Sequence, residues 1–181
     1  AAPIDQKTAS DLFQKAQDLR KQKGKDKEVI RQLQVIVKYY NQSAYAPEAQ
    51  FLIATIFEEQ ENLLRATSEF KKVVREFPRS QRIEEAIEHL FKIGNLFLTG
   101  EKQKVMGVAI IPVYSKAVDI FNFIVEQAPY GPYGDQSQLK LGITYRKMGN
   151  FTEAVNAFQA LITNYPTSPL VDEAHYQLAE T

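Results

Sequence analysis

The sequence predicts an all-α protein built from repeated helical hairpins. A pattern of small, aromatic and proline residues recurs at fixed offsets along the chain. Between these markers, apolar residues recur at the three- and four-residue spacing of a helix that buries one face, as in Val29, Leu33 and Ile36. The prolines fall between the predicted helices or at their edges, so no helix interior is broken.

The clearest copies of the pattern begin at Ala54 and Gly142. In both copies, offsets of 3, 12, 16 and 24 residues hold an aromatic residue, an alanine, a phenylalanine and a proline. These residues are Phe57, Ala66, Phe70 and Pro78 in the first copy, and Tyr145, Ala154, Phe158 and Pro166 in the second. The second half of the pattern occurs again at Ala117, Phe121, Ile124 and Pro129, and more weakly at Val29, Leu33 and Ile36.

These offsets resemble the tetratricopeptide repeat, in which small residues let two helices approach, aromatic rings fill the gap and proline ends the second helix. The resemblance implies a helix-turn-helix solenoid with a right-handed superhelix, formed by residues 1–181 as a single domain. We expect four repeats and the start of a fifth, with approximate bounds 10–46, 47–83, 84–134, 135–171 and 172–181.

Successive repeats start 37, 37, 51 and 37 residues apart, so the third repeat carries an insertion of 14 residues near 99–113. Gly24 and Gly149 fall where the turn inside a repeat needs a residue with left-handed backbone geometry.

Composition limits the function classes. The chain has 181 residues with 22 Lys+Arg and 22 Asp+Glu, so no net charge favours binding to nucleic acid or to an anionic membrane. The absence of cysteine excludes disulfides and thiolate chemistry in this segment. His89 and His175 have no second ligand at metal-binding spacing, and no phosphate-binding glycine loop occurs. We therefore expect no enzyme activity, no cofactor and no metal.

A narrower resemblance rests on the 37-residue spacing, on linkers such as NYPTSP, on the GPYGDQ turn followed by QLKLG, and on the lengthened third repeat. Together these features resemble the BamD-type lipoproteins of outer-membrane assembly. The resemblance implies a protein-binding scaffold whose partners are the central β-barrel assembly protein and unfolded outer-membrane protein segments. It also implies the periplasmic face of the bacterial outer membrane as the location, with a lipid anchor upstream of Ala1. The alternative is a periplasmic adaptor of the CpoB type that links envelope complexes.

In tetratricopeptide arrays the first helix of each repeat lines the binding groove, and this implies which residues contact a partner. We expect these contacts at Phe51, Thr55, Glu58, Leu139, Ile143, Arg146 and Lys147. The basic and apolar set between Leu139 and Lys147 suits an aromatic-rich segment or a C-terminal carboxylate. The alternative is that these residues are only the solvated face of a helix.

The insertion is the most irregular segment of the sequence. Its apolar residues Val108, Ile110 and Ile111 are too apolar to lie in water without cover. They either pack on the solenoid or form a second partner site.

Overall fold

The computed structural model describes residues 6–100 and 113–181, and every regular element in those ranges is an α-helix. The helices are α1 (Gln6–Arg20), α2 (Asp26–Tyr39), α3 (Tyr45–Glu59), α4 (Leu63–Glu76), α5 (Ile83–Thr99), α6 (Tyr114–Gln127), α7 (Gly134–Lys147), α8 (Phe151–Asn164) and α9 (Val171–Ala179). They follow one another as four pairs and a single last helix, so the predicted all-α fold of paired helices is confirmed.

The helices group into two compact units, Ala1–Ala86 and Ile87–Thr181, and the division falls within α5. In the first unit a buried core joins residues of α1, α2 and α3, among them Ala16, Leu33 and Ile53. In the second unit, a cluster around Phe158 joins α7, α8 and α9. Each unit therefore buries the apolar faces that the sequence pattern predicts, because paired helices cover one another.

Close approach of paired helices depends on a small residue facing an aromatic ring. Phe70, Phe121 and Phe158 are fully buried. A β-carbon added to Gly142 on α7 would lie 2.4 Å from the Phe158 ring on α8, which is far inside contact distance. This contact confirms the role that the pattern predicts for Gly142.

In the third pair, α5 and α6, the small residue that faces the aromatic ring lies about one helical turn later. Phe91 occupies the position that Ala54 and Gly142 hold in their repeats, and its ring centroid lies 5.9 Å from that of Phe121. Gly94 provides the small surface instead, since a β-carbon there would lie 2.9 Å from the Phe121 ring. The pair in which the small residue is displaced is therefore also the pair with the lengthened connection between its helices.

The turns inside three of the pairs share one backbone conformation. Gly24 and Gly149 have φ values of 81° and 78°, which confirms the predicted left-handed residues. Glu61 holds the corresponding position between α3 and α4 with a φ of 57°. An L-residue pays a steric cost there that glycine avoids.

The linkers between pairs also share one hydrogen-bonded frame. The residue directly after each second helix, its end residue, donates from its amide to the carbonyl four residues earlier. The carbonyl of the end residue accepts from the amide three residues further on. The end residues are Tyr40, Phe77, Ala128 and Tyr165, and the returning amides belong to Ser43, Ser80, Gly131 and Ser168. The prolines Pro78, Pro129 and Pro166 come directly after three of these ends, as the sequence predicts.

Two buried glutamines bridge the paired helices at equivalent positions. Gln50 on α3 donates from Nε2 to the backbone carbonyl of Glu69 at 3.1 Å, and Gln138 on α7 donates to the carbonyl of Ala157 at 3.0 Å. Both side chains are at most 5% exposed. Because a buried amide without a partner is costly, these bonds fix how far one helix slides along the other.

Replacing Gly142 by alanine tests the close helix contact. Overpacking a core costs about 1–3 kcal/mol, whereas alanine is about 1 kcal/mol more favourable than glycine within a helix. We expect Gly142→Ala to lower the free energy of unfolding by about 1 kcal/mol in chemical denaturation. Repeating the change in a Phe158→Leu background should remove most of the loss, and an equal loss in both backgrounds would contradict the contact.

Replacing Glu61 tests the strained turn. Glu61→Gly relieves left-handed backbone strain of about 1–2 kcal/mol, but glycine also gives the unfolded chain more conformational freedom. We therefore expect the free energy of unfolding to rise by about 0.5–1 kcal/mol. Thermal unfolding should show a raised Tm. The control Glu61→Gln removes the charge and keeps the side chain, so it should leave the Tm near that of the parent chain.

Candidate partner-binding surfaces

The predicted contacts in the first unit lie together on α3, where the side chains of Phe51 and Thr55 contact other groups of the chain. The Phe51 ring meets Phe70 edge-on with centroids 5.5 Å apart, and the Arg82 guanidinium lies over the same ring at 5.1 Å. The Thr55 hydroxyl donates to the carbonyl of Phe51 at 3.0 Å. Glu58 is half-buried one turn further along.

Arg82 covers this surface from the linker before α5. Its Nε lies 2.8 Å from Oε2 of Glu48, and its Nη2 lies at the same distance from that oxygen. Its Nη1 also donates to Glu85 at 2.7 Å. The hydrogen bond that Arg82 donates to the Glu48 carboxylate is the main reason that the pKa of the Arg82 guanidinium lies above its usual value. Arg82 therefore links the linker to α3 through a charged fork stacked on an aromatic ring.

The predicted contacts in the second unit lie on α7 at different depths. Leu139 is 7% exposed and belongs to the core around Phe158, and Ile143 packs against the same core. Arg146 is half-buried and Lys147 exposed, both in the last turn of α7. Positive side chains there also offset the negative end of the helix dipole. The accessible part of this surface is consequently basic, with an apolar floor beneath it.

The predicted contacts of the insertion, Val108, Ile110 and Ile111, lie outside the described residues.

Two clefts on the linkers, one in each unit, are further candidate sites that the sequence patterns did not predict. The aromatic linker cleft, of about 430 Å³, is lined by Pro129, Tyr130, Gly131, Pro132, Asp135, Asn164, Tyr165, Pro166, Thr167, Ser168 and Pro169. The polar linker cleft, of about 320 Å³, is lined by Asn41, Gln42, Ser43, Pro47, Glu76, Phe77, Pro78, Arg79 and Ser80. These are equivalent positions of two repeats. The many tyrosines and prolines of the GPY and NYPTSP segments were the sequence feature that could have indicated the aromatic linker cleft.

Tyr165 and Asp135 interact electrostatically in the aromatic linker cleft. Burial, with smaller contributions from Asp135 and Tyr130, raises the pKa of the Tyr165 hydroxyl above its usual value. The Asp135 carboxylate accepts hydrogen bonds from the Ser168 hydroxyl at 2.6 Å and from the backbone amide of Gln136 at 2.7 Å.

In the part of the chain that the structure describes, no three His, Cys, Asp or Glu side chains come together as a metal site. None of the helices α1 to α9 is long and apolar enough to cross a membrane.

Comparison with known proteins identifies the repeats. A family model described as tetratricopeptide repeat matches residues 48–80 and 136–168. These segments begin one residue after two of the predicted repeat starts, Pro47 and Asp135. The chain therefore contains two tetratricopeptide repeats, and the fold class expected from the sequence, all-α with tetratricopeptide-type helix pairs, is confirmed.

The chain is also similar to curated proteins named outer membrane protein assembly factor BamD. The protein from Xylella fastidiosa strain Temecula1 is 30% identical over 105 residues, and the one from strain 9a5c is 29% identical over the same length. Each match covers 58% of this chain and 36% of the relative, so the matched part spans about a third of the relative's length. The predicted resemblance to BamD-type proteins is confirmed at this level.

Solved structures give a weaker likeness. The MamA RS-1 ArsTM double mutant is 17% identical, with a TM-score of 0.44 over 97% of this chain and 90% of that one. MamA 41-end from Desulfovibrio magneticus RS-1 is 18% identical, with a TM-score of 0.41 over 99% and 92%.

Replacing Arg82 by lysine tests the cover over Phe51. Lysine keeps the charge but loses the planar fork and the stacking on the ring. Because Arg82 is partly exposed, we expect a loss of about 0.5–1 kcal/mol in the free energy of unfolding, measured by urea denaturation. Arg79→Lys, in the same linker, is the matched control and should change stability by less than about 0.5 kcal/mol. Equal effects of the two substitutions would contradict a specific role for Arg82.

Proposed function

We propose that the chain is the helical-repeat part of a BamD-like component of the machinery that assembles outer-membrane β-barrel proteins. The observation that carries this proposal is the 30% identity over 105 residues with a protein named outer membrane protein assembly factor BamD. In this role the chain acts without catalysis, as a scaffold that binds other polypeptides.

The helix faces support binding of extended polypeptide. On α7, Arg146 and Lys147 supply positive charge next to Ile143, and Leu139 supports this surface from the core. A free C-terminal carboxylate pairs with the guanidinium of Arg146, while an aromatic side chain of the same segment contacts Ile143. The α3 surface of Phe51, Thr55 and Glu58 offers a second contact of mixed character.

The partners in this proposal are the central β-barrel assembly protein and unfolded outer-membrane protein segments. The chain works at the periplasmic face of the outer membrane, held by a lipid anchor attached upstream of Ala1. The insertion residues Val108, Ile110 and Ile111 supply a further partner contact. These partners, this location and this anchor are what the similarity to BamD implies for this chain.

Peptide titration tests the proposal at α7. The probe is a synthetic peptide with the C-terminal sequence of an outer-membrane β-barrel protein, ending in an aromatic residue with a free carboxylate. We expect Arg146→Glu to weaken binding roughly ten- to a hundredfold, because a charge-assisted hydrogen bond contributes about 1.5–3 kcal/mol. Isothermal titration calorimetry gives both affinities.

Lys140→Glu makes the same charge reversal elsewhere on α7 and should leave the affinity close to that of the parent chain. Amidation of the peptide's C-terminus should reproduce the loss seen with Arg146→Glu. Equal binding of a scrambled peptide, or an affinity that Arg146→Glu does not change, would rule out this mode of recognition.

A further inference from the structure

The two linker clefts have the same backbone frame but different chemistry. In each cleft, one linker supplies one wall and the next linker supplies the other. The shared frame comes from the repeated hydrogen bonds that end α2, α4, α6 and α8. A difference between the clefts therefore comes from their side chains and not from a different fold.

Seven of the nine residues that line the polar linker cleft differ from their equivalents in the aromatic one, and three of these differences introduce the two tyrosines and the carboxylate. Tyr130 takes the place of Gln42, Asp135 that of Pro47, and Tyr165 that of Phe77. Tyr130 is 92% exposed, so its ring contributes little to the core and is available to a ligand.

The charges of the two clefts also differ. Asp135 is the one charged side chain among the residues that line the aromatic linker cleft, and no lysine or arginine lines it. The polar linker cleft contains both Glu76 and Arg79. The Asp135 carboxylate accepts one hydrogen bond at each oxygen, which leaves lone pairs on both for a further donor. The aromatic linker cleft thus has a negative charge with capacity for a cation.

We propose that the aromatic linker cleft binds the arginine side chain of an extended partner segment, with the guanidinium against the rings of Tyr130 and Tyr165 and hydrogen-bonded to Asp135. A planar guanidinium satisfies both requirements, because it stacks on aromatic rings and donates to a carboxylate. An ammonium group does not stack in this way. The proline-lined walls offer no backbone N–H groups at Pro129, Pro132, Pro166 and Pro169, which suits apolar packing of an extended segment.

This site lies on the linkers, outside the α3 and α7 residues to which the proposed function assigns partner contacts. It goes beyond that function and does not depend on it.

The test is an NMR titration of the full chain with the blocked peptide acetyl-Gly-Pro-Arg-Pro-Gly-amide. We expect binding with a Kd of about 1 mM, a weak affinity appropriate to a single anchored side chain. Amide shifts should concentrate at residues 129–135 and 164–169. Tyr130→Ala should weaken binding roughly fivefold or more, since it removes one cation–π contact, and Asp135→Asn should weaken it at least as much.

Controls separate recognition from structural damage. Gln42→Ala, at the position equivalent to Tyr130, should leave the affinity unchanged within about twofold. Asp135→Asn also alters the bond from Ser168, so its thermal unfolding is checked, while Tyr130→Ala changes an exposed side chain. A peptide with citrulline in place of arginine, which is neutral and nearly the same shape, should not bind.

Several outcomes would overturn the proposal. Equal binding of the citrulline peptide would show that the positive charge of the arginine does not contribute to binding. Tighter binding of a lysine peptide would exclude guanidinium stacking. Equal shifts at residues 41–47 would show that the shared frame, and not the aromatic lining, takes the ligand. Absence of binding up to about 10 mM peptide also overturns it, because that limit lies well above the expected Kd.

Discussion

A phenylalanine ring on the second helix, held against a glycine on the first, is the contact on which the packing of the pairs α5–α6 and α7–α8 depends. Phe158 over Gly142 shows it most clearly, since not even a methyl group fits between them. Interiors packed this tightly fix both the distance and the register of the helices. The register in turn brings Gln50 and Gln138 to the carbonyls that they bridge. Turns and linkers then begin at equivalent positions from pair to pair.

Much of the fold was predictable because these constraints are local in sequence. Side-chain size at fixed offsets indicates which residues face a neighbouring helix, and Gly24 and Gly149 mark turns that need left-handed geometry. Glu61 was not predictable as a turn residue of the same kind, because glutamate carries no preference for that conformation. The displaced small residue Gly94 was missed for a related reason. Phe91 occupies the expected position, and only the packing shows which residue faces Phe121.

The candidate surfaces were predictable in position but not in accessibility. A fixed offset places Phe51 and Leu139 on first helices, yet cover comes from residues distant in sequence. Arg82, which lies over Phe51, follows it by 31 residues, and the core of α8 and α9 encloses Leu139. The linker clefts escaped prediction because each combines residues of two linkers, most of which lie outside the repeat pattern. Periodicity describes one helix at a time, whereas a surface is shared between elements.

The linker frame has an evolutionary consequence. Its geometry is maintained by main-chain hydrogen bonds, which every residue except proline can donate, so the side chains around it are free to diverge without loss of folding. Ser43, Ser80, Gly131 and Ser168 accordingly hold one turn among very different neighbours. Selection can therefore give each repeat its own ligand preference while the scaffold stays constant. Linkers with the same backbone geometry can therefore acquire different binding specificities.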